Sequence, residues 1–245
     1  MDAFSRARFL LGDAAMEKLK NAHVAVFGLG GVGGYVAEAL ARTGVGRLTL
    51  VDHDTISLTN CNRQILATAE TVGQDKVTAA AARVTAINPD IRVIAKKTFF
   101  LPETAGEFDF SEYDYVADAI DTVTGKLMLV QAAQAAGTPI ISCMGTGNKL
   151  DPTAFRVGDI SQTSVCPLAR IIRKECKKRG IGKLKVVWST EDPITCTLAP
   201  DDPAWAELPE GRNALPGSVC FVPAAAGMIL AGEIIKDIIR KASPV

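Results

Sequence analysis

The stretch His23-Val24-Ala25-Val26-Phe27-Gly28-Leu29-Gly30-Gly31-Val32-Gly33 decides the fold class. Five apolar-leaning residues run into a G-x-G-x-x-G turn. A helical pattern, Val32 to Thr43, follows directly. A second apolar run, Arg47 to Val51, ends in Asp52. Strand, glycine turn, helix and strand make a βαβ unit, which implies parallel pairing and a right-handed crossover. Glycines let the backbone come close to a phosphate, and the N–H groups at the following helix start hold the anion. Asp52 lies 19 residues after Gly33, where a carboxylate can accept bonds from ribose hydroxyls. The turn itself leaves NAD, FAD and ATP open.

The pattern continues outward. Helical periodicity runs from about Asp75 to Ile87, and strands are expected over Ile91–Ala95, Tyr113–Ile120 (ending in Asp121) and Pro139–Cys143, with a helix over Lys126–Ala136. This predicts an α/β, Rossmann-like, doubly wound, mostly parallel sheet over residues 1–145. After Gly145 the pattern loosens into an elaborated C-terminal half, residues 146–245. There the expectations are a strand at Thr153–Val157, a helix from Pro167 to about Arg179, a strand at Lys185–Trp188 and a last helix at Ala224–Lys241. Asp192 to Gly217 carries five prolines and reads as a long loop. No repeat or linker divides the chain, so 1–245 is expected to be one domain.

Composition narrows the class. Of 245 residues, 48% are hydrophobic and 22% charged, which excludes disordered and fibrous chains. Lys+Arg and Asp+Glu both count 27, so the whole-chain balance suggests no polyanionic partner. The N-terminal run Phe9-Leu10-Leu11 is too short for a signal peptide. The uncharged stretch Asn213–Gly232 holds Pro216, Gly217 and Pro223, and reads as a turn, a buried strand at Val219–Val222 and a helix start, not as a membrane span. Six cysteines without any CxxC exclude a zinc ribbon and point to reduced thiols in a cytoplasmic protein.

Several charged and amide side chains leave the carboxyl edge of the expected sheet: Asp54, Asn60, Arg63, Gln64, Lys76 and Asp121. A nicotinamide site needs no Arg and Lys aimed at phosphates, whereas nucleotidyl transfer does, because charge grows on the α-phosphate and the leaving pyrophosphate. Asp121 could hold Mg²⁺ bridging phosphate oxygens, or cap the helix that follows. His53 reads better as a local hydrogen-bond partner than as a general base.

GLGGVG, D-x-D, N-x-N-R-Q and a downstream Lys and Asp resemble the ubiquitin-activating-enzyme-like superfamily, the ThiF/MoeB adenylating fold. The resemblance spans nearly the whole chain. Ala119-Ile120-Asp121, Leu150-Asp151-Pro152-Thr153, Val186–Ile194 and Gly217–Pro223 resemble one branch, the tRNA threonylcarbamoyladenosine dehydratases. The resemblance implies ATP and Mg²⁺, with Gly28, Gly30, Gly31 and Gly33 cradling phosphates. Asp52, Asp54 and Gln64 would hold the nucleotide, and Asn60, Arg63 and Lys76 the α-phosphate region. It implies that Arg6 reaches a partner subunit's site in a homodimer. It further implies adenylation of the carboxylate of threonylcarbamoyl-adenosine beside a tRNA anticodon, followed by ring closure. The competing acceptor within the superfamily is the C-terminal Gly of a ubiquitin-like sulfur carrier, with a sulfur-carrier or cysteine desulfurase-type protein as partner. Cys196, in the proline-rich loop, is then the candidate reactive thiol, although burial as a plain hydrophobe is the better reading for any single Cys.

The zero charge is a cancellation. Residues 166–185 carry eight basic side chains against Glu175, a local +7, so the rest carries −7. Arg170, Arg173, Lys174, Lys177 and Lys178 recur at helical steps and form a stripe suited to RNA phosphates, with Leu168, Ile171 and Ile172 as apolar surface beside it. Trp188 reads as core in preference to a base-stacking platform. The stripe and the missing CxxC pairs favour tRNA over a carrier protein, and Arg63 and Lys76 count against an oxidoreductase or a non-catalytic nucleotide sensor.

Overall fold

A computed structural model describes residues 1–196 and 216–240. Two short helices, α1 (Ser5–Leu11) and α2 (Asp13–Asn21), precede β1 (His23–Phe27), α3 (Gly33–Arg42) and β2 (Arg47–Asp52). Then come α4 (Lys76–Ile87), β3 (Arg92–Lys97), β4 (Tyr115–Asp118), α5 (Val123–Ala135) and β5 (Ile140–Cys143). The remaining described elements are β6 (Phe155–Asp159), α6 (Pro167–Lys178), β7 (Lys185–Ser189) and α7 (Phe221–Arg240).

One seven-stranded sheet has the order β3-β2-β1-β4-β5-β7-β6. All pairings are parallel except β6–β7. The strand order reverses at β1, whose neighbours are β2 and β4, and that reversal opens the crevice where such sheets bind ligands. All five residues of β1 are buried, because helices cover both faces. Val24 and Val26 point into a core shared with α3, α4 and α7. Ala25 and Phe27 point into the opposite core, where Phe27 sits among Phe100, Phe108 and Phe110 against α5 and α6. Burying a side chain such as Phe27 contributes roughly 1.5–3 kcal/mol.

Some expectations need correction. Val219–Val222 is not a strand: residues 216–219 are irregular and α7 starts at Phe221. Pro223 is tolerated there because a first-turn N–H has no intrahelical acceptor. β4 ends at Asp118, not Asp121. The Asp118 carboxylate, fully buried, accepts the Ile120 N–H at 3.1 Å and pairs with Lys126 Nζ at 3.0 Å, which turns the chain out of the sheet. Asp121 does not cap α5, since the N-cap is Thr122 and no side-chain bond is made there. Ile172 belongs to the core, not to the surface beside the basic stripe. Trp188 is buried, as expected of core. The 192–217 loop is irregular at 192–196 and 216–217, and its middle lies outside the described residues. Among the described residues no helix is long and apolar enough to cross a membrane.

Candidate active site

A cavity of about 780 Å³ opens at the carboxyl edge of β1, β2, β4 and β5. Gly28, Gly30 and Gly31 line it. Gly28 has φ +87°, and a Cβ there would lie 2.7 Å from the Ala119 carbonyl oxygen, so only glycine lets the turn pass β4. Around Gly30 the space is open, with Gln64 Nε2 the nearest atom at 3.9 Å from a notional Cβ. Gly33 has a different task. It does not line the cavity, and a Cβ on it would sit 1.7 Å from the Gly28 oxygen, so it allows α3 to start against the strand.

Asp52 is buried at the end of β2. Its Oδ2 accepts the Leu29 N–H at 2.6 Å and its Oδ1 accepts the Asp54 N–H at 2.8 Å, which ties the glycine turn to the loop after β2. Each carboxylate oxygen keeps a lone pair for a ribose hydroxyl. Asp54 Oδ2 pairs with Lys76 Nζ at 2.6 Å, and the Lys76 N–H donates to the Asp54 carbonyl oxygen at 3.1 Å. Lys76 is buried at the first position of α4, so Asp54 aims a cation at the cavity. His53 Nε2 lies 3.0 Å from Asp54 Oδ1 and packs edge-on to Phe99, a local role.

Arg63 donates through Nη1 to the Thr59 carbonyl and to Asn62 Oδ1, both at 2.9 Å, leaving the rest of its guanidinium fork for a ligand. Asn60 Oδ1 accepts the Ser57 N–H at 3.2 Å, which fixes the turn and frees the Asn60 amide nitrogen. Gln64 is buried and its Oε1 has no partner among the described residues. A buried orphan acceptor beside an open glycine turn fits a nucleotide with hydroxyl or amino donors. Asp121 lines the cavity with no protein partner on its carboxylate among the described residues. Ligand atoms of Asp52, His53 and Asp54 also lie within 4.8 Å of one another. Their oxygens already serve two backbone N–H groups and Lys76, so Asp121 is the better fit for Mg²⁺. Arg6 is exposed on α1 and does not line the cavity.

The profile of the ThiF family matches residues 4–245. The chain belongs to the ThiF family. The tRNA threonylcarbamoyladenosine dehydratase of Bacillus subtilis (strain 168) is 43% identical over 240 residues, covering 97% of this chain and 94% of that protein. The crystal structure of E. coli tRNA N6-threonylcarbamoyladenosine dehydratase in complex with ATP superposes with a TM-score of 0.84 at 33% identity, covering 96% of this chain and 93% of that one. A sulfur carrier protein adenylyltransferase of Thermus thermophilus is 36% identical over 143 residues, 58% of this chain and 52% of its own length.

The ThiF cavity has a second end that sequence reasoning did not name. It is built by Met144–Lys149 after β5, by Cys166–Leu168 at the start of α6, and by Pro193 and Pro216–Ser218. Asn148 organises it. At φ +59° it donates its N–H to the Gly217 oxygen at 2.7 Å, accepts the Ile194 N–H at 2.8 Å and receives Cys196 Sγ on Oδ1 at 3.3 Å. Cys196 is exposed and does not line the cavity. Cys143 does, but burial pushes its thiol up to about 12, so it is no thiolate.

From this end α6 runs outward. Arg170, Lys174 and Lys177 are exposed without a partner among the described residues. Two other members of the predicted stripe are engaged. Arg173 donates to the Thr163 carbonyl and hydroxyl at 2.6 Å, and Lys178 pairs with Glu175 at 2.8 Å. Glu175 also takes Arg179 at 3.4 Å. The stripe is therefore narrower than its spacing suggested.

Proposed function

We propose that this ThiF-family protein is an ATP-dependent tRNA-modifying dehydratase that activates the carboxylate of threonylcarbamoyl-adenosine next to the anticodon and lets it cyclise. The observation that carries the reading is one continuous cavity. It joins the nucleotide groups at Asp52 to a second compartment that ends at the first turn of α6, where the exposed cations begin. The near full-length likeness to the Bacillus subtilis dehydratase supports the same acceptor.

The chemistry follows from the charges. A carboxylate oxygen of the acceptor attacks the α-phosphorus of ATP; an O–P bond forms and the bond to pyrophosphate breaks. Arg63 and Lys76 stabilise the charge that grows on the phosphate oxygens. A nucleophile of the same modified side chain then attacks the acyl carbon, AMP leaves with the bonding electrons, and the nucleophile's proton passes to solvent. The nucleoside has lost one water. Because the second attack is intramolecular, it has a high effective molarity and needs no enzyme thiol. Mg²⁺ held at Asp121 would neutralise phosphate charge during pyrophosphate departure.

Three further elements belong to this reading. Residues 1–245 act as one adenylating domain, a nucleotide-binding half over 1–145 and a substrate half over 146–245, supported by a sheet to which both halves contribute strands. The protein works as a homodimer in which Arg6 serves the partner subunit's site, supported by Phe9 and Leu10 standing 76% and 85% exposed on the same helix. The same reading has the enzyme working in the cytoplasm, one compartment where tRNA is found.

The test is substrate-stimulated turnover. Purified protein should form AMP and pyrophosphate when given tRNA bearing the threonylcarbamoyl group, with mass spectrometry showing the nucleoside one water lighter. Stimulation by a ubiquitin-like carrier protein, and not by tRNA, overturns the reading.

A further inference from the structure

Three buried lysines stand close to the sheet's carboxyl edge, and they differ in what they face. Lys76 is paired with Asp54 and Lys126 with Asp118. Lys149 is 3% exposed and lines the cavity, yet no carboxylate lies within ion-pairing distance of it among the described residues. Its Nζ donates to one acceptor, the Glu191 carbonyl oxygen. The Glu191 carboxylate itself is turned to the backbone, accepting the Leu150 and Asp151 N–H groups at 2.8 and 2.9 Å. An ammonium has three donors, and a buried one without a counter-charge is costly. Two donors of Lys149 therefore await an anion, and the space beside it is the cavity.

We infer that Lys149 receives the carboxylate of the acceptor nucleoside and positions it for attack on the α-phosphorus. Which anion it takes is argued from the order of the sheet. The ribose anchor Asp52 ends β2, the glycine turn leaves β1, and the Asp121 loop leaves β4. Lys149 follows β5, three strands from β2, or roughly 14 Å at ordinary strand spacing. It therefore lies beyond the phosphate groups, in the compartment shared with Cys166–Leu168 at the start of α6. A nucleoside delivered along α6 enters there first. Asn148 fixes the backbone immediately before Lys149 on both sides, through Gly217 and Ile194, so the ammonium is presented on a rigid segment.

This assignment rests on the carboxylate-activating function proposed above, and the two are separable by experiment. Lys149→Met removes the charge and keeps the length. Its binding to tRNA bearing the threonylcarbamoyl carboxylate is compared with binding to the same tRNA carrying the methyl ester. The wild type should prefer the carboxylate by about tenfold, as expected for a buried charge-assisted hydrogen bond, and the variant should lose that preference. In turnover, KM for the tRNA should rise about tenfold while KM for ATP changes less than about twofold. Lys149→Arg should keep much of the preference. If Met unfolds the chain, Lys149→Gln is read in the same way. A variant that still prefers the carboxylate, a wild type that never did, or a matching loss of ATP affinity each overturns the inference. Because the binding comparison needs no turnover, it reads Lys149 even if tRNA fails to stimulate AMP formation, which would strike the proposed function alone.

Discussion

The two ends of the cavity are made differently. At the nucleotide end, the charged side chains nearest β2 are held by partners: Asp52 at the strand terminus by two backbone N–H groups, and Lys76 at the start of α4 by Asp54. At the acceptor end, the wall is mostly connecting chain, tied through Asn148 and meeting the first turn of α6, and among the described residues its one buried cation is held by a single carbonyl. The two charges nearest β2 are thus neutralised or anchored before a ligand arrives. Loops build an end whose last charge is left for the ligand to satisfy.

Variants at each end probe that contrast, and one away from both serves as a control. Lys76→Met should have the largest effect, because it removes the buried cation that the proposed function sets against the phosphates and leaves the Asp54 carboxylate with only His53 beside it among the described residues. A loss of roughly 10²–10³ in kcat is expected, with smaller change in KM for tRNA, measured by pyrophosphate release. A rise in tRNA KM alone would erase the division between the two ends.

Next is the triple change Arg170→Gln, Lys174→Gln and Lys177→Gln. It should weaken tRNA binding roughly tenfold at moderate salt and flatten the salt dependence by about 0.7–0.9 per lost phosphate contact, with ATP binding intact. Lys178→Gln should do less, since Glu175 already neutralises it. Equal effects from both would return the stripe to a general surface charge.

The smallest effect is expected away from both ends. Burial disfavours charge on Asp237, but its bonds to Lys185 and Tyr115 prevail and hold its carboxyl below the usual range. The folded chain therefore binds this proton less readily than the unfolded one. The stabilisation is present above the ordinary carboxylate value of about 4 and is lost as pH falls below it. Asp237→Asn should remove that acid sensitivity and lower stability near neutrality by under about 1 kcal/mol, or about 2–4 °C in Tm. An unchanged melting curve from pH 3 to 7 would show the network to be idle.

Legibility in the sequence follows the same division. The nucleotide end could be read because its elements are periodic and its motif has fixed spacing: His23–Phe27, the glycines and Asp52 fall where a βαβ unit requires them. Errors began where two local patterns compete. Val219–Val222 is β-branched and aromatic enough for a strand, yet the alanines and glycine from Ala224 onward continue a helix that starts at Phe221. Asp118 and Asp121 are similar candidates for a strand end, and what separates them is the burial of Asp118 with its bonds to the Ile120 N–H and Lys126. Lys149 carries no spacing signal. Only its burial distinguishes it. The stripe on α6 was visible as charge, but Arg173 bonding back to Thr163 was not.

The last described helix touches the phosphate turn directly. A Cβ on Gly31 would meet Pro223 at 3.2 Å, a Cβ on Gly227 would overlap the Val32 carbonyl at 2.5 Å, and Asn62 Nδ2 donates to the Ser218 oxygen at 2.9 Å. The start of α7 is thus a wall of the site formed by the first βαβ unit. Thermodynamic linkage then runs both ways: whatever settles on the glycine turn tightens the seating of α7, and whatever loosens α7 weakens the hold on nucleotide. The site joins segments roughly 200 residues apart in sequence, so amide hydrogen exchange along α7 becomes a remote gauge of nucleotide occupancy.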